Sequence, residues 1–228
     1  MCQMSRTPIL AASILAADFT RLGEALQQVQ EGGADWIHID VMDGHFVPVL
    51  TMGTPIVEAC RRATSLPLDV HLMVDDPESL IPSFIRAGAD SITVHVEAVS
   101  HLHRCLESTR RQGVRVGVAL NPATPIAAVE EALGDTDLVL VMTVDPGYSG
   151  QPLIPATLDK VRRLRDRLQA AGSTARLEVD GGINTDTAPE AARQGADVFV
   201  AAQGIFGHPH GVAAGVRALR ASLQPALA

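Results

Sequence analysis

At 228 residues and a formal net charge of −8, the chain has room for one large domain or two small ones and lacks the basic surface of a nucleic-acid or anionic-membrane binder. Hydrophobic residues make up 46% of it, yet no apolar run approaches the roughly 20 residues that span a bilayer, so a soluble globular protein is expected. Cys2, Cys60 and Cys105 are odd in number and widely spaced, which argues against a disulfide framework and fits ordinary thiols in a reducing cytosol.

The first stretch, "PILAASILAA" after Arg6, has the composition of a signal-peptide apolar region, but it also supplies a first strand at residues 9–14 and is read as structure. Further strands are predicted at 36–41, 68–73, 91–95, 115–120, 138–143, 176–180 and 198–202. Helical segments fall between them at 20–31, 55–63, 77–87, 100–112, 155–171 and 187–194, with Pro55, Pro77 and Pro155 suited to first helical turns. The phrase Gly-Ala-Asp recurs at Gly33, Gly88 and Gly195, each time between a helical segment and a β-branched run. Its intervals of 55 and 107 residues are close to two and four units of about 27. Strict strand–helix alternation over eight such units predicts an α/β protein that is a single (β/α)8 TIM barrel, one domain spanning residues 1–228. With aromatic residues at 3%, its core is expected to be mostly Val, Ile, Leu, Ala and Met.

Side chains alternate along a strand, so in "HIDVM" Ile39 and Val41 point one way with Ile37, and His38, Asp40 and Met42 the other. The third strand sets Asp69, His71 and Met73 against Val70 and Leu72, the first ends near Ser13, the sixth carries Met142 and the seventh Asp180. In a barrel these are the strand ends that surround an active site. His38, Asp40, His71 and Asp180 form a two-imidazole, two-carboxylate set suited to a divalent ion such as Zn²⁺, Mn²⁺, Fe²⁺ or Co²⁺. Glycines follow strands six, seven and eight (Gly147 and Gly150, Gly181 and Gly182, Gly204 and Gly207), where backbone approaches a phosphate most easily. Metal, paired carboxylates and a phosphate grip together suit proton removal next to a ketone. Return of a proton to the other face by the second carboxylate would make the reaction an epimerisation. Met42, Met73 and Met142 read equally well as a polarisable collar or as packing. His101 and His103 face different sides of a helix, His208 and His210 flank Pro209 in a surface loop, and His95 ends strand four, where it could line the site although a purely structural role is favoured.

The segments "SILAADFTRLGE", "HIDVMDGHFVP", "DVHLMV", "ALNPATP", "MTVDPGYSGQ" and "LEVDGGI" resemble, in order and spacing, those of the ribulose-phosphate 3-epimerase family over nearly the whole chain. The resemblance implies a cytoplasmic, metal-dependent isomerase that interconverts D-ribulose 5-phosphate and D-xylulose 5-phosphate through a metal-stabilised enediolate. It implies His38, Asp40, His71 and Asp180 as metal ligands, with Asp40 and Asp180 as the acid/base pair. Ser13, His71, the three methionines, Gly147, Tyr148, Ser149 and Gly150 (a lid), Gly181, Gly182, Ala202 and Gln203 would contact the sugar phosphate. By analogy it also implies a homo-oligomer. The likeness frays near the phosphate: Ala202 and Gln203 stand where the family usually has Gly and Ser, Val49 where it has Asn, Ala12 where Pro is common, and Ser149 where it has Gly. A sister epimerase acting on another ketose or ketose phosphate, such as D-allulose 6-phosphate, is therefore the main alternative, and a non-catalytic sugar-phosphate-binding barrel the second. A decarboxylase with a D-x-K-x-x-D strand is disfavoured, since "HIDVMDG" has no lysine.

Overall fold

Near-continuous Val, Ile and Leu runs need cover on both faces, which a parallel sheet wrapped in helices provides. In the computed structural model, which describes residues 7–224, eight parallel strands close into a barrel in chain order. They are β1 (Ile9–Ser13), β2 (Trp36–Met42), β3 (Leu68–Met73), β4 (Ser91–His95), β5 (Arg115–Leu120), β6 (Leu138–Met142), β7 (Arg176–Asp180) and β8 (Val198–Ala201). The helices are α1 (Leu22–Gly32), α2 (Thr54–Ala63), α3 (Pro77–Ala87), α4 (Leu102–Arg110), α5 (Ala156–Ala170), α6 (Thr187–Arg193), α7 (Gln203–Phe206) and α8 (Val212–Leu223). All eight predicted strands form, within one residue of their expected ends. The crossover after β5 holds two 3-10 turns, Ile126–Ala128 and Glu130–Ala132, instead of a full helix. No helix among the described residues is long and apolar enough to cross a membrane.

The two faces of β2 part as the alternation requires. Ile37, Ile39 and Val41 join Leu26, Val29 and Val57 in the core between barrel and helices, while His38 and Asp40 turn into the lumen. The lumen floor is apolar, packed by Ala11, Trp36, Leu138, Val198 and Val200, with the Arg115 guanidinium over the Trp36 ring at 4.5 Å. Higher up, β2, β3, β4 and β7 supply polar side chains, and β5 and β6 supply Ala119, Leu140 and Met142. Cys60 and Cys105 are buried free thiols whose acidity burial lowers, moving each pKa to about 11; Cys2 lies outside the described residues.

The Gly-Ala-Asp phrases have a structural cause. Gly33, Gly88 and Gly195 adopt positive φ (87°, 111° and 100°) as their helices end, a conformation only glycine holds without strain. Each following aspartate reaches sideways and accepts a backbone N–H of the preceding strand: Asp35 from Leu10 at 2.8 Å, Asp90 from Leu68 at 2.7 Å and Asp197 from Leu177 at 2.8 Å. Asp137 does the same for Val116 at 2.9 Å. Arginines from the helix layer close each aspartate: Arg220 on Asp35, Arg61 on Asp90, Arg110 on Asp137 and Arg165 on Asp197. The odd-numbered strands are thus capped at the N-terminal end of the barrel by aspartates preceding the even-numbered ones.

The Arg165–Asp197 pair is the most enclosed, with side chains 13% and 9% exposed. Asp197→Ala is expected to cost about 2–4 kcal/mol, because it strands both the Arg165 charge and the Leu177 N–H. Asp159→Ala, which removes an exposed partner that Arg162 and Arg163 share, should cost under about 1 kcal/mol. Denaturant unfolding of the two variants measures the contrast, and equal losses would contradict a stabilising role for the ring.

Candidate active site

At the opposite, C-terminal end, register and alternation bring four side chains to one point. Asp40 of β2 lies beside His71 of β3, His38 lies beside Asp69 one step lower, and Asp180 ends β7 next to Met142. Each of His38, Asp40, His71 and Asp180 offers one ligand atom within 4.8 Å of the others. His38 Nε2 is 3.3 Å from Asp40 Oδ1, and His71 Nδ1 is 3.2 Å from Asp40 Oδ1 and 3.8 Å from Asp180 Oδ2. Ser13 donates its hydroxyl to Asp40 Oδ2 at 2.5 Å. The backbone is pinned as well, since Thr51 Oγ donates to the Asp40 carbonyl at 2.7 Å and Thr143 N–H to the Asp180 carbonyl at 2.7 Å.

These residues fit a divalent cation. His38 Nε2 is fully buried and makes no well-formed hydrogen bond, although it points at a carboxylate. A buried polar atom left this way calls for an electrophile, and two imidazole nitrogens with two carboxylates are the donors that borderline divalent metals prefer.

The electrostatics separate the two carboxylates. Burial alone would raise the Asp40 pKa, but His38 and His71 more than offset it and hold the carboxylate ionised, well below the usual range. At Asp180, burial and then the nearby Asp40 charge push the pKa up to about 7. Burial lowers His71 to about 4, which leaves the imidazole neutral as a ligand must be. Burial also disfavours a charged His38, but Asp40 and Asp69 on either side outweigh it and raise its pKa well above the ordinary value, so His38, like Asp180, would have to give up a proton to bind a cation. A carboxylate held ionised beside one that titrates near 7 is an arrangement that can divide base from acid.

Behind this set stand residues the sequence reading left without a role. Asp69 accepts from His38 Nδ1 at 2.7 Å and from Ser91 Oγ, and Glu178 lies within 3.8 Å of the same nitrogen. His95, which the sequence allowed as a site-lining residue but favoured as structural, is fully buried with its Nε2 2.8 Å from His71 Nε2; its Nδ1 lies 3.2 Å from Glu97. Alternation along the third strand placed Asp69 on the inward row with His71, whereas Glu178, two positions before Asp180, was not singled out although the same alternation applies to it. Glu97 sits in a 3-10 turn, where no periodicity pointed to it.

Over the cluster opens a cavity of about 160 Å³. Ser13, Asp40, Met42, Met73, Met142 and Asp180 form its floor and sides, with His38 and His71 buried beneath. Gly147, Tyr148, Ser149 and Gly150 lie along one edge, and Gly181, Gly182, Ala202 and Gln203 along another. Gly182, at φ 66°, fits against Leu153 so closely that a Cβ would come within 2.4 Å of its nitrogen. The Gln203 side chain lies between Gly150 and Gly207 and lines the cavity. His101 and His103 are exposed at the start of α4, and His208 and His210 lie in the turn between α7 and α8; none belongs to the site.

Comparison with known proteins agrees with this geometry. A sequence model of the ribulose-phosphate 3 epimerase family matches residues 9–206. The chain is 50% identical over 199 residues to ribulose-phosphate 3-epimerase of Bacillus subtilis, covering 87% of this chain and 92% of that protein. It is 46% identical over 224 residues to the enzyme of that name from Synechocystis, covering 97% of each. Among solved structures, orotidine 5'-phosphate decarboxylase from Pyrococcus horikoshii shares the fold at TM-score 0.69 and 15% identity, over 95% of this chain and 99% of that one.

Because Asp180 titrates near 7 and is protonated below that, an incoming cation must displace its proton. Affinity for Mn²⁺ or Zn²⁺ should therefore rise as pH is raised between about 6 and 8, with protons released on binding. Titration calorimetry in buffers of different ionisation enthalpy measures both effects. A flat affinity with no proton release would contradict Asp180 as a ligand.

Proposed function

Since the chain belongs to the ribulose-phosphate 3-epimerase family and is therefore an epimerase, an enzyme of the isomerase class, we propose that it interconverts D-ribulose 5-phosphate and D-xylulose 5-phosphate by two-carboxylate proton transfer. The observation that carries this reading is two carboxyl groups at the floor of one cavity with opposite shifts, Asp40 held well below the usual range and Asp180 raised to about 7. One carboxylate takes the C3 proton, the C–H electron pair moves toward C2, and the C2 carbonyl becomes an oxyanion. The other carboxyl group then delivers its proton to the opposite face of C3, and the configuration inverts. His38, Asp40, His71 and Asp180 would hold the divalent ion, with Zn²⁺, Mn²⁺, Fe²⁺ and Co²⁺ all compatible with the donor set. When bound, such an ion supplies positive charge beside the oxygens on which negative charge develops.

The chain's own residues do the rest. Ser13 fixes the orientation of the Asp40 carboxylate through its short hydrogen bond. Met42 and Met73, packed with Val47, and Met142, packed with Leu140, make an apolar collar that keeps water from the reacting carbon. The Gly181–Gly182 turn and the Gln203 amide serve the phosphate end, where Gln203 offers a side-chain donor. Because Ala202 and Gln203 shape that end, a ketose phosphate of another length, such as D-allulose 6-phosphate, is the second reading.

Asp40→Asn and Asp180→Asn are each expected to lower kcat by about 100- to 10,000-fold while circular dichroism shows a retained fold. Turnover near the original rate in either would overturn the two-carboxylate mechanism. Comparison of kcat/KM with metal supplied should favour D-ribulose 5-phosphate over D-allulose 6-phosphate and over unphosphorylated D-ribulose. A preference for the six-carbon substrate would select the second reading and leave the chemistry intact.

A further inference from the structure

Two imidazole nitrogens 2.8 Å apart, as His71 Nε2 and His95 Nε2 are, must share one proton: two would repel and none would leave no bond. The rings are nearly parallel, 23° apart with centroids at 5.0 Å. Which ring owns that proton is decided at the far end of the chain. His95 Nδ1 faces Glu97 Oε2 at 3.2 Å, and a carboxylate only accepts, so a neutral His95 carries its proton on Nδ1 and presents a bare Nε2. The proton between the rings then belongs to His71 Nε2, and His71 Nδ1 is left with its lone pair.

Glu97 is itself held as a carboxylate. Its other oxygen accepts the Asn121 N–H at 2.9 Å and the Thr124 hydroxyl. That loop is anchored in turn by Lys160 of α5, whose ammonium donates to the carbonyls of Asn121, Pro122 and Thr124 at 2.7, 2.8 and 2.7 Å. Phe46 covers the His95 ring with centroids 4.7 Å apart. A polar chain thus runs from α5 to the lumen, with a carboxylate at each end: Glu97 faces His95 Nδ1, and Asp40 faces His71 Nδ1 at 3.2 Å, so the two compete for the imidazole protons.

We propose that His95 and Glu97 are positioning residues that fix the proton on His71 Nε2 and so keep His71 Nδ1 bare toward Asp40 and Asp180. The inference rests on reading those residues as a metal centre. Without the relay, Asp40 at 3.2 Å would draw a proton onto His71 Nδ1 and make it a donor, which cannot bind a cation. Asp69 orients His38 through a carboxylate in the usual way; at His71 a second histidine carries that influence from a carboxylate further out.

Two measurements test this, with Zn²⁺ as the probe. In nitrogen-15 NMR of the zinc-loaded wild-type protein, His71 should be protonated at Nε2 and His95 at Nδ1; a proton on His71 Nδ1 would overturn the proposal without any variant. In chelator competition, His95→Leu, which cannot accept from His71, should weaken zinc binding by about 10- to 100-fold. His95→Gln, whose carbonyl oxygen can accept, should stay within about threefold of wild type. Unchanged affinity in His95→Leu, or equal loss in both variants, would overturn the relay. Failure of the wild-type protein to bind zinc, manganese or cobalt would instead bring down the metal-centre reading, and this inference with it.

Discussion

A row of imidazoles and carboxylates sealed inside a barrel is the constraint to which the rest of this structure answers. His38, Asp40, Asp69, His71 and Glu178 are all essentially excluded from solvent. Charges in such a place are tolerable only when each is paired, hydrogen-bonded or neutralised. The pairing here is arranged by strand register. One step between β2 and β3 sets Asp40 beside His71 and His38 beside Asp69, so a slip of one residue would turn both rows toward the helices. Pairing leaves His38 Nε2, the Glu178 oxygens and the acidic Asp40–Asp180 corner unfinished, and a divalent cation held by His38, Asp40, His71 and Asp180 would complete the first and last of these.

Stability and chemistry are kept at opposite ends of the barrel. The N-terminal end carries the ring of aspartates that cap neighbouring strands, closed by arginines from the helix layer, above which lies an apolar floor. The C-terminal end carries glycine turns, exposed loop residues such as Tyr148 and Ser149, and the titratable groups. Between them the lumen is divided: β2, β3, β4 and β7 are polar, while β5 and β6 fill their share with small and apolar side chains. Gly117 belongs to this division, because a Cβ there would lie 2.2 Å from the Thr93 hydroxyl.

Much of this was legible in the sequence because it depends on local periodicity. Alternation along "HIDVM" and "LDVHLM" identifies the inward rows, and Gly-Ala-Asp identifies the helix ends, since both follow from residues within a few positions of one another. The parts that escaped depend on contacts across the barrel. Asp137 performs the same capping task as Asp35, Asp90 and Asp197 but follows no Gly-Ala, so repetition did not reveal it. His95 looked like an ordinary strand end because its significance comes from His71, 24 positions away, and from Glu97 in an aperiodic turn. The short α7 and the 3-10 crossover after β5 carry too few turns for a hydrophobic period to show.

Division of labour between Asp40 and Asp180 is the claim on which the functional reading stands, and the hydrogen at C3 reports on it directly. The measurement is a single turnover of D-ribulose 5-phosphate in deuterium oxide with the metal-loaded enzyme, followed by mass and NMR analysis of the D-xylulose 5-phosphate formed. With one carboxylate removing the proton and the other, equilibrated with solvent, returning one to the opposite face, the product should carry deuterium at C3 with little of the original hydrogen retained. Product that keeps its original C3 hydrogen would show one group moving the same proton across, and would contradict the two-carboxylate site.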